Sequence, residues 1–185
     1  MRYADEVKID VVDVAEVDST MIQKFSCGNN EIDRFLHEDA CQNSAKTYLF
    51  VNTDTNDIVA YTTIACSAIM YAVEETGDFM LAPEKYSLAS AIEIKYFAVD
   101  GQYQHLNYSD SEYTLSSALF GYIVEHIIDI ATNEVGAEYI VLYSVPKAVS
   151  FYKKNSFVDF EAEMIGDGDP YLDGCHPMYM TIERS

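Results

Sequence analysis

The chain has 185 residues, 49% of them hydrophobic and 13% aromatic, which suits one domain with a real core. Eleven Lys plus Arg stand against 31 Asp plus Glu, a formal net charge of −20. Nucleic-acid binders gain affinity by placing cations on phosphates, so this balance argues against a nucleic-acid partner; it either favours a cationic one (a free amine, a polyamine, a basic peptide or a Lys side chain) or serves only solubility.

No Gly/Ser/Pro-rich linker or internal repeat interrupts the chain, so a single domain over 1–185 is expected. The start, Met1-Arg2-Tyr3-Ala4-Asp5-Glu6, lacks the apolar stretch of a signal peptide, and no apolar run approaches bilayer length; no membrane role is expected. Cys27, Cys41, Cys66 and Cys175 are scattered without CxxC spacing, the pattern of reduced thiols in a cytoplasmic protein.

Lys8 to Val17 alternates loosely and is Val-rich, a strand. Phe25-Ser26-Cys27-Gly28-Asn29-Asn30 is turn-like. Ile32, Phe35, Leu36 and Ala40 then recur at helical spacing to about Asn43. Thr47–Val51 and Ile58–Ile69 read as a hairpin around the polar turn Asp54-Thr55-Asn56-Asp57. Tyr71 to Ser90 holds Gly77 and Pro83 and reads as loop with room for a short helix. Ala91–Val99 is apolar and β-rich, a central strand, and Asp100–Tyr113 a polar loop. Ser109-Asp110-Ser111-Glu112 has the form of a capping box. Leu115, Leu119, Tyr122, Ile123, Ile127 and Ile130 mark one face of a long helix that Gly136 ends. Tyr139–Tyr143 is a short strand, and Pro146 opens a helix to about Asn155. Phe157–Met164 is a strand, Gly166–Pro170 a loop, and Met178–Ile182 a last strand. This order predicts an α/β (α+β) sandwich with a mostly antiparallel, partly parallel sheet.

Two segments carry a family likeness. Ile92-Glu93-Ile94-Lys95-Tyr96-Phe97-Ala98-Val99 leads into a loop, an amphipathic helix, a short strand, and Ala148-Val149-Ser150-Phe151-Tyr152-Lys153-Lys154-Asn155-Ser156-Phe157. This resembles the acetyl-CoA core of the GNAT superfamily of N-acetyltransferases, whose last motif is A-x-x-F-Y-x-x-x-G-F; here Ser156 replaces the glycine. Phe25-x-Cys27-Gly28, Ile32-Asp33-x-Phe35-Leu36 and Ala40 resemble the opening of GNAT proteins related to acetyltransferase toxins of toxin–antitoxin pairs. The likeness covers about Val17 to Phe157. It implies the GNAT fold, a central mixed, mostly antiparallel sheet of six to seven strands flanked by helices. It also implies acetyl-CoA as cosubstrate and transfer of its acetyl group to a primary amine on a small molecule, polyamine, protein or peptide. Two alternatives remain open: a toxin-like enzyme acting on aminoacyl-tRNA and held by an antitoxin, and a GNAT-fold binding module with impaired catalysis. A homodimer is compatible with the sequence.

Acetyl transfer to an amine needs a base, a donor for the developing oxyanion and a proton for the leaving thiolate. By resemblance, the backbone of Phe97, Ala98 and Val99 meets the thioester. Tyr152, a phenol of ordinary pKa about 10, is the candidate general acid, with packing as its alternative role. Glu93 is the candidate base, the alternative being a surface pair with Lys95. The family's pyrophosphate loop, Gln/Arg-x-x-Gly-x-Gly/Ala, falls on Gln104-His105-Leu106-Asn107-Tyr108-Ser109, which has no glycine. Gln104, His105, Asn107 and Ser109 are the loop's candidate cofactor contacts. Asp110 and Glu112 near the helix start would oppose a phosphate or, read otherwise, complement the helix dipole. Ser144 is either a pantetheine contact or a turn residue before Pro146. His37, His126 and His176 lack metal-ligand spacing, so no metal is expected. Cys175 and His176 are adjacent on an extended chain and point apart, which disfavours a thiol nucleophile.

Overall fold

The computed structural model describes residues 3–73, 85–161, 164–165 and 174–183. They form two compact units, Met1–Ala65 with Ile94–His126, and Cys66–Glu93 with Ile127–Ser185. The strands are β1 (Ile9–Asp13), β2 (Lys46–Asn52), β3 (Asp57–Val73), β4 (Lys85–Val99), β5 (Tyr139–Ser144), β6 (Val158–Asp159), β7 (Met164–Ile165) and β8 (His176–Thr181). They hydrogen-bond in the order β1-β2-β3-β4-β5-β8-β6, with β7 on β3. The pairs β1–β2, β2–β3, β3–β7, β5–β8 and β6–β8 are antiparallel. The mixed, mostly antiparallel α/β architecture is the expected one, with eight strands instead of six to seven. The extra strand arises because the segment read as one strand over Phe157–Met164 splits. Val158 pairs with Tyr179 of β8, whereas Ile165 pairs with Met70 of β3.

In the first unit, α1 (Ser19–Ile22) is capped by Asp18, whose carboxylate accepts the Thr20 N–H at 2.7 Å. Helix α2 (Asn30–Arg34) runs on through a wider turn over Phe35–Asp39, where the Ala40 N–H reaches the Phe35 carbonyl. The expected helix is therefore real but ends before Asn43. Its apolar stripe packs Phe35, Leu36 and Ala40 on Leu49, Ile58, Tyr61 and Ala98, together with Phe25 and Ile22. The Phe35 ring stacks on Tyr96 at 4.0 Å. Alternation along β4 thus aims Tyr96 and Ala98 at the helices, while Phe97 meets Phe120 at 5.2 Å. β1 stops at Asp13 and not at Val17, because the Asp13 carboxylate takes the Ala15 N–H and opens a 3-10 turn over Val14–Glu16.

Helix α3 (Leu115–Ile130) continues through a wide turn to Val135. Over Leu115–Val135 it is 21 residues long, and by length and composition it is one helix that is long and apolar enough to cross a membrane. That corrects the sequence expectation of no such run. Its burial is one-sided: Leu115, Leu119, Phe120, Ile123, Ile127 and Ala131 are buried, at the spacing of a core-facing stripe. The Ser109–Glu112 capping box does not cap it. Thr114 does: its Oγ1 accepts the Ser117 N–H at 3.2 Å, the N-cap geometry. At the far end Gly136 adopts φ 74° and returns its N–H to the Ala131 carbonyl, as expected of a C′ glycine.

In the second unit Ile69, Ala91, Val141 and Tyr179 are buried together, with Tyr71, Tyr139, Phe160 and Met164 packed around them. The region Tyr71–Ser90, expected as loop, is strand wherever it is described: Tyr71–Val73 ends β3 and Lys85–Ser90 begins β4. Among the described side chains of 87–90, Ser87, Leu88 and Ser90 are exposed and Ala89 is buried. Gly77, Pro83 and the loop Gly166–Pro170 lie outside the described residues. A 3-10 turn over Pro146–Ala148 leads into α4 (Val149–Lys154), which carries the Phe-Tyr motif.

Candidate functional site

The end of β4 is held by side chains. Asp100 is 5% exposed. Its Oδ2 accepts the Ser26 N–H at 3.0 Å and its Oδ1 the Gln102 N–H at 2.9 Å. Gln104 donates both amide hydrogens inward, to the Cys27 carbonyl at 2.8 Å and the Val99 carbonyl at 2.9 Å. The side chain placed first in the phosphate loop therefore ties Val99 to the Phe25–Gly28 turn. Ala98 and Val99 are buried and Phe97 is half-buried. His105 is exposed.

The loop beyond Leu106 takes a route that a glycine-free sequence allows. The Leu115 N–H donates to the Leu106 carbonyl at 2.8 Å, Tyr108 N–H to Tyr113 carbonyl at 3.2 Å, and Asn107 bridges Thr114. Residues 107–114 thus leave the chain path and return to it, so Leu106 lies next to the start of α3. Asn107 and Ser109 sit on this excursion, exposed, with their backbones bonded to the N-terminal segment. The Asn107 carbonyl accepts the Ala4 N–H at 3.0 Å, and the Ser109 N–H donates to the Asp5 carboxylate at 2.8 Å. That bond holds the Asp5 carboxyl below its ordinary pKa. Asp110 and Glu112 also ride on the excursion. The first turn of α3 contains no acid, so these two lie outside it.

The residues at the helix start are Thr114, Ser116 and Ser117, which sequence reasoning passed over. Ser116 Oγ donates to the Gln104 carbonyl at 3.4 Å, joining helix and loop. A signal existed: Thr114 directly precedes the first residue of the apolar stripe. The stronger-looking Ser-x-x-Glu pattern masked it. A 16-residue helix starting with hydroxyl side chains and no carboxylate in its first turn has the chemistry to receive an anionic phosphate. The residues present therefore fit acetyl-CoA's pyrophosphate at the start of α3 better than at Asn107 and Ser109.

In the second unit Glu93 is 5% exposed, a buried carboxylate and not half of an exposed surface pair. Ser144 is 1% exposed and donates its hydroxyl to the Val145 carbonyl at 2.9 Å, the turn role that was its alternative. Tyr152 is half-buried, between Phe151 at 5.3 Å and Phe157 at 6.2 Å. Burial pushes its hydroxyl up to about 12, so it is protonated at neutral pH and suited to donate a proton. Its carbonyl accepts the N–H groups of Asn155 and Phe157. Between them Ser156 adopts φ 69°, the left-handed conformation for which the family motif uses glycine.

No protein-family model matches the chain, and no curated protein sequence matches it. Solved structures do. A bacterial toxin shares 18% identity and a TM-score of 0.69, covering 95% of this chain and 92% of its own. A tyrosine-to-phenylalanine mutant of the toxin AtaT, bound to the C-terminus of the antitoxin AtaR and acetyl-CoA, shares 16% identity with a TM-score of 0.66, covering 96% and 94%. AtaT complexed with acetyl-methionyl-tRNAfMet shares 15% identity with a TM-score of 0.65, covering 94% and 95%. At such identities the likeness speaks for the fold. The chain shares the fold of these toxins over nearly its whole length.

Proposed function

We propose that this protein is an N-acetyltransferase that transfers the acetyl group of acetyl-CoA to the amine of an aminoacyl-tRNA, and that an antitoxin partner restrains it. The observation that carries this reading is full-length likeness to toxins, including one solved with acetyl-CoA and antitoxin and one solved with an acetylated aminoacyl-tRNA. The charge of −20 argued for excluding nucleic acid. That argument concerns the sum, whereas binding depends on where cations lie. Lys147, Lys153 and Lys154, three of the eleven Lys and Arg, are exposed within eight residues on and before α4. Lys153 pairs with Asp159 at 2.6 Å, so Lys147 and Lys154 are the two other exposed cations of this stretch.

Acetyl-CoA supplies the activated acyl group as a thioester. In the first unit, the start of α3 would hold the pyrophosphate and the backbone of Phe97–Val99 would meet the thioester. In the second unit, the Tyr152 hydroxyl holds a proton for the leaving sulfur, and Glu93, a buried carboxylate, is the group to draw a proton from the amine, directly or through water. The test is transfer of label from acetyl-CoA to charged tRNA, beside polyamines and a lysine peptide. Labelled aminoacyl-tRNA supports the proposal. Label on the small amines and none on tRNA would replace it with the second reading, acetylation of a cationic small or peptide amine, which the net charge favours. No stabilisation by millimolar acetyl-CoA would sink both and leave a binding module.

A further inference from the structure

The Phe25–Gly28 turn has no role in the transfer chemistry, yet its bonding is unusually directed. Ser26 and Cys27 together offer two backbone N–H groups and two carbonyls. The Ser26 N–H goes to Asp100 and the Ser26 carbonyl to the Gly101 N–H at 2.9 Å. The Cys27 carbonyl takes Gln104 Nε2. Three of the four groups thus bind the junction of β4 and the cofactor loop. The fourth, the Cys27 N–H, donates to Asp33 Oδ1 at 2.8 Å, and the Ser26 hydroxyl donates to Asp33 Oδ2 at 2.9 Å. Asp33 is 8% exposed on α2. A buried carboxylate is costly unless its oxygens are bonded, and both oxygens are bonded to this one turn. Gly28, at φ 83°, lets the chain double back from the turn into α2.

We propose that Asp33 is a positioning residue for the cofactor: acting through the Ser26–Cys27 turn, it holds Gly101 and Gln104 so that the path from Val99 to the start of α3 is set before acetyl-CoA arrives. The inference rests on the acetyl-CoA reading above for its consequence, but not for its geometry. Two separate measurements decide it. In ligand-free protein, Asp33→Asn keeps an acceptor for only one of the two donors and loses the carboxylate charge that strengthens both bonds, and hydrogen exchange at the Gly101 N–H is expected to rise by about tenfold or more. In the same variant the dissociation constant for acetyl-CoA, and its KM, are expected to rise about tenfold. At saturating acetyl-CoA, kcat and the KM for the acceptor stay near wild type. Ser26→Ala removes one donor and is expected to move both readouts the same way by a smaller factor; it carries the test if Asp33→Asn fails to fold. Glu38→Gln, exposed on the following turn, should move neither.

A folded Asp33→Asn with a lowered melting temperature but unchanged Gly101 exchange and acetyl-CoA affinity makes Asp33 a stability residue only and overturns the proposal. Faster Gly101 exchange with unchanged acetyl-CoA affinity overturns the link to the cofactor. Wild-type protein that does not bind acetyl-CoA overturns the proposed function and the cofactor half of this inference, and the exchange result then stands or falls alone for the coupling.

Discussion

Two regions of this molecule lack a glycine that the family pattern supplies, and they respond in opposite ways. At the end of α4, Ser156 accepts the glycine's backbone: φ stays at 69° and the Phe157 N–H still reaches the Tyr152 carbonyl at 3.1 Å. In the cofactor loop the backbone gives way instead. Among the described residues only Asn56 and Ser156 are non-glycines with positive φ, so no residue between Gln104 and Thr114 stands in for a glycine. The chain makes an excursion over 107–114, closes it at Leu106–Leu115, and relies on Gln104 and Asp100 for the geometry near the strand. The difference follows from constraint. Ser156 sits two residues after a helix and directly before buried Phe157, so any other path would pull Phe157 from the core. The loop is largely exposed and free to reroute.

The most severe break is chemical. Tyr152→Phe keeps the ring and removes the hydroxyl; turnover is expected to fall about 100- to 10,000-fold with acetyl-CoA affinity retained, in steady-state assays and calorimetry. The neutral phenol is the donor, and burial raises its pKa to about 12. Activity should therefore not decline near pH 10 on account of Tyr152; a limb at 10 would assign the acid elsewhere. Next in size, Gln104→Ala removes the two bonds that stitch the rerouted loop and should cost about 2 kcal/mol in denaturant unfolding, with weaker acetyl-CoA binding. An unchanged midpoint would show that the excursion holds itself. Thr114→Ala, by loss of the N-cap, should cost about 1 kcal/mol, whereas Ser109→Ala, at the capping position of the sequence's apparent box, should cost clearly less. The reverse order would restore that box. Ser156→Gly should stabilise the fold by about 1 kcal/mol or a little less, the one substitution here expected to help; destabilisation would mean the serine side chain repays its strain. Smallest is a labelling effect. Burial, with Asp33 nearby, pushes the Cys27 thiol up to about 11. At pH 8 it should alkylate more slowly than exposed Cys41 and Cys66, read by peptide mass.

Much of the fold was legible. The stripes Phe35-Leu36-Ala40 and Leu115-Leu119-Ile123 name buried faces because burial of an amphipathic helix imposes its period. Gly136 ended its helix as read, since a left-handed residue is a local requirement. The cofactor loop was not legible residue by residue. Asn107 and Ser109 lie on an excursion closed by the bond between Leu106 and Leu115, a path that spacing from Gln104 does not reveal. Ser144 and Gln104 stand out in the sequence as polar residues, but where their donors point is decided by the fold: Gln104 reaches Cys27 far back in the chain, and Ser144 turns to its neighbour Val145.

The amino-acid sequence by itself determined the elements, the strand order's general class, the resemblance carried by Phe151-Tyr152 and Phe25-Cys27-Gly28, and the need for a special backbone at Ser156. These are properties of periodicity, side-chain size and φ preference within a few residues. Only the tertiary structure decided that the missing loop glycines are answered by a detour and a network. The bonds that answer them join Ser26 to Asp100 and Cys27 to Gln104, more than seventy residues apart, and hydrogen bonds at that separation leave no periodic trace in the chain.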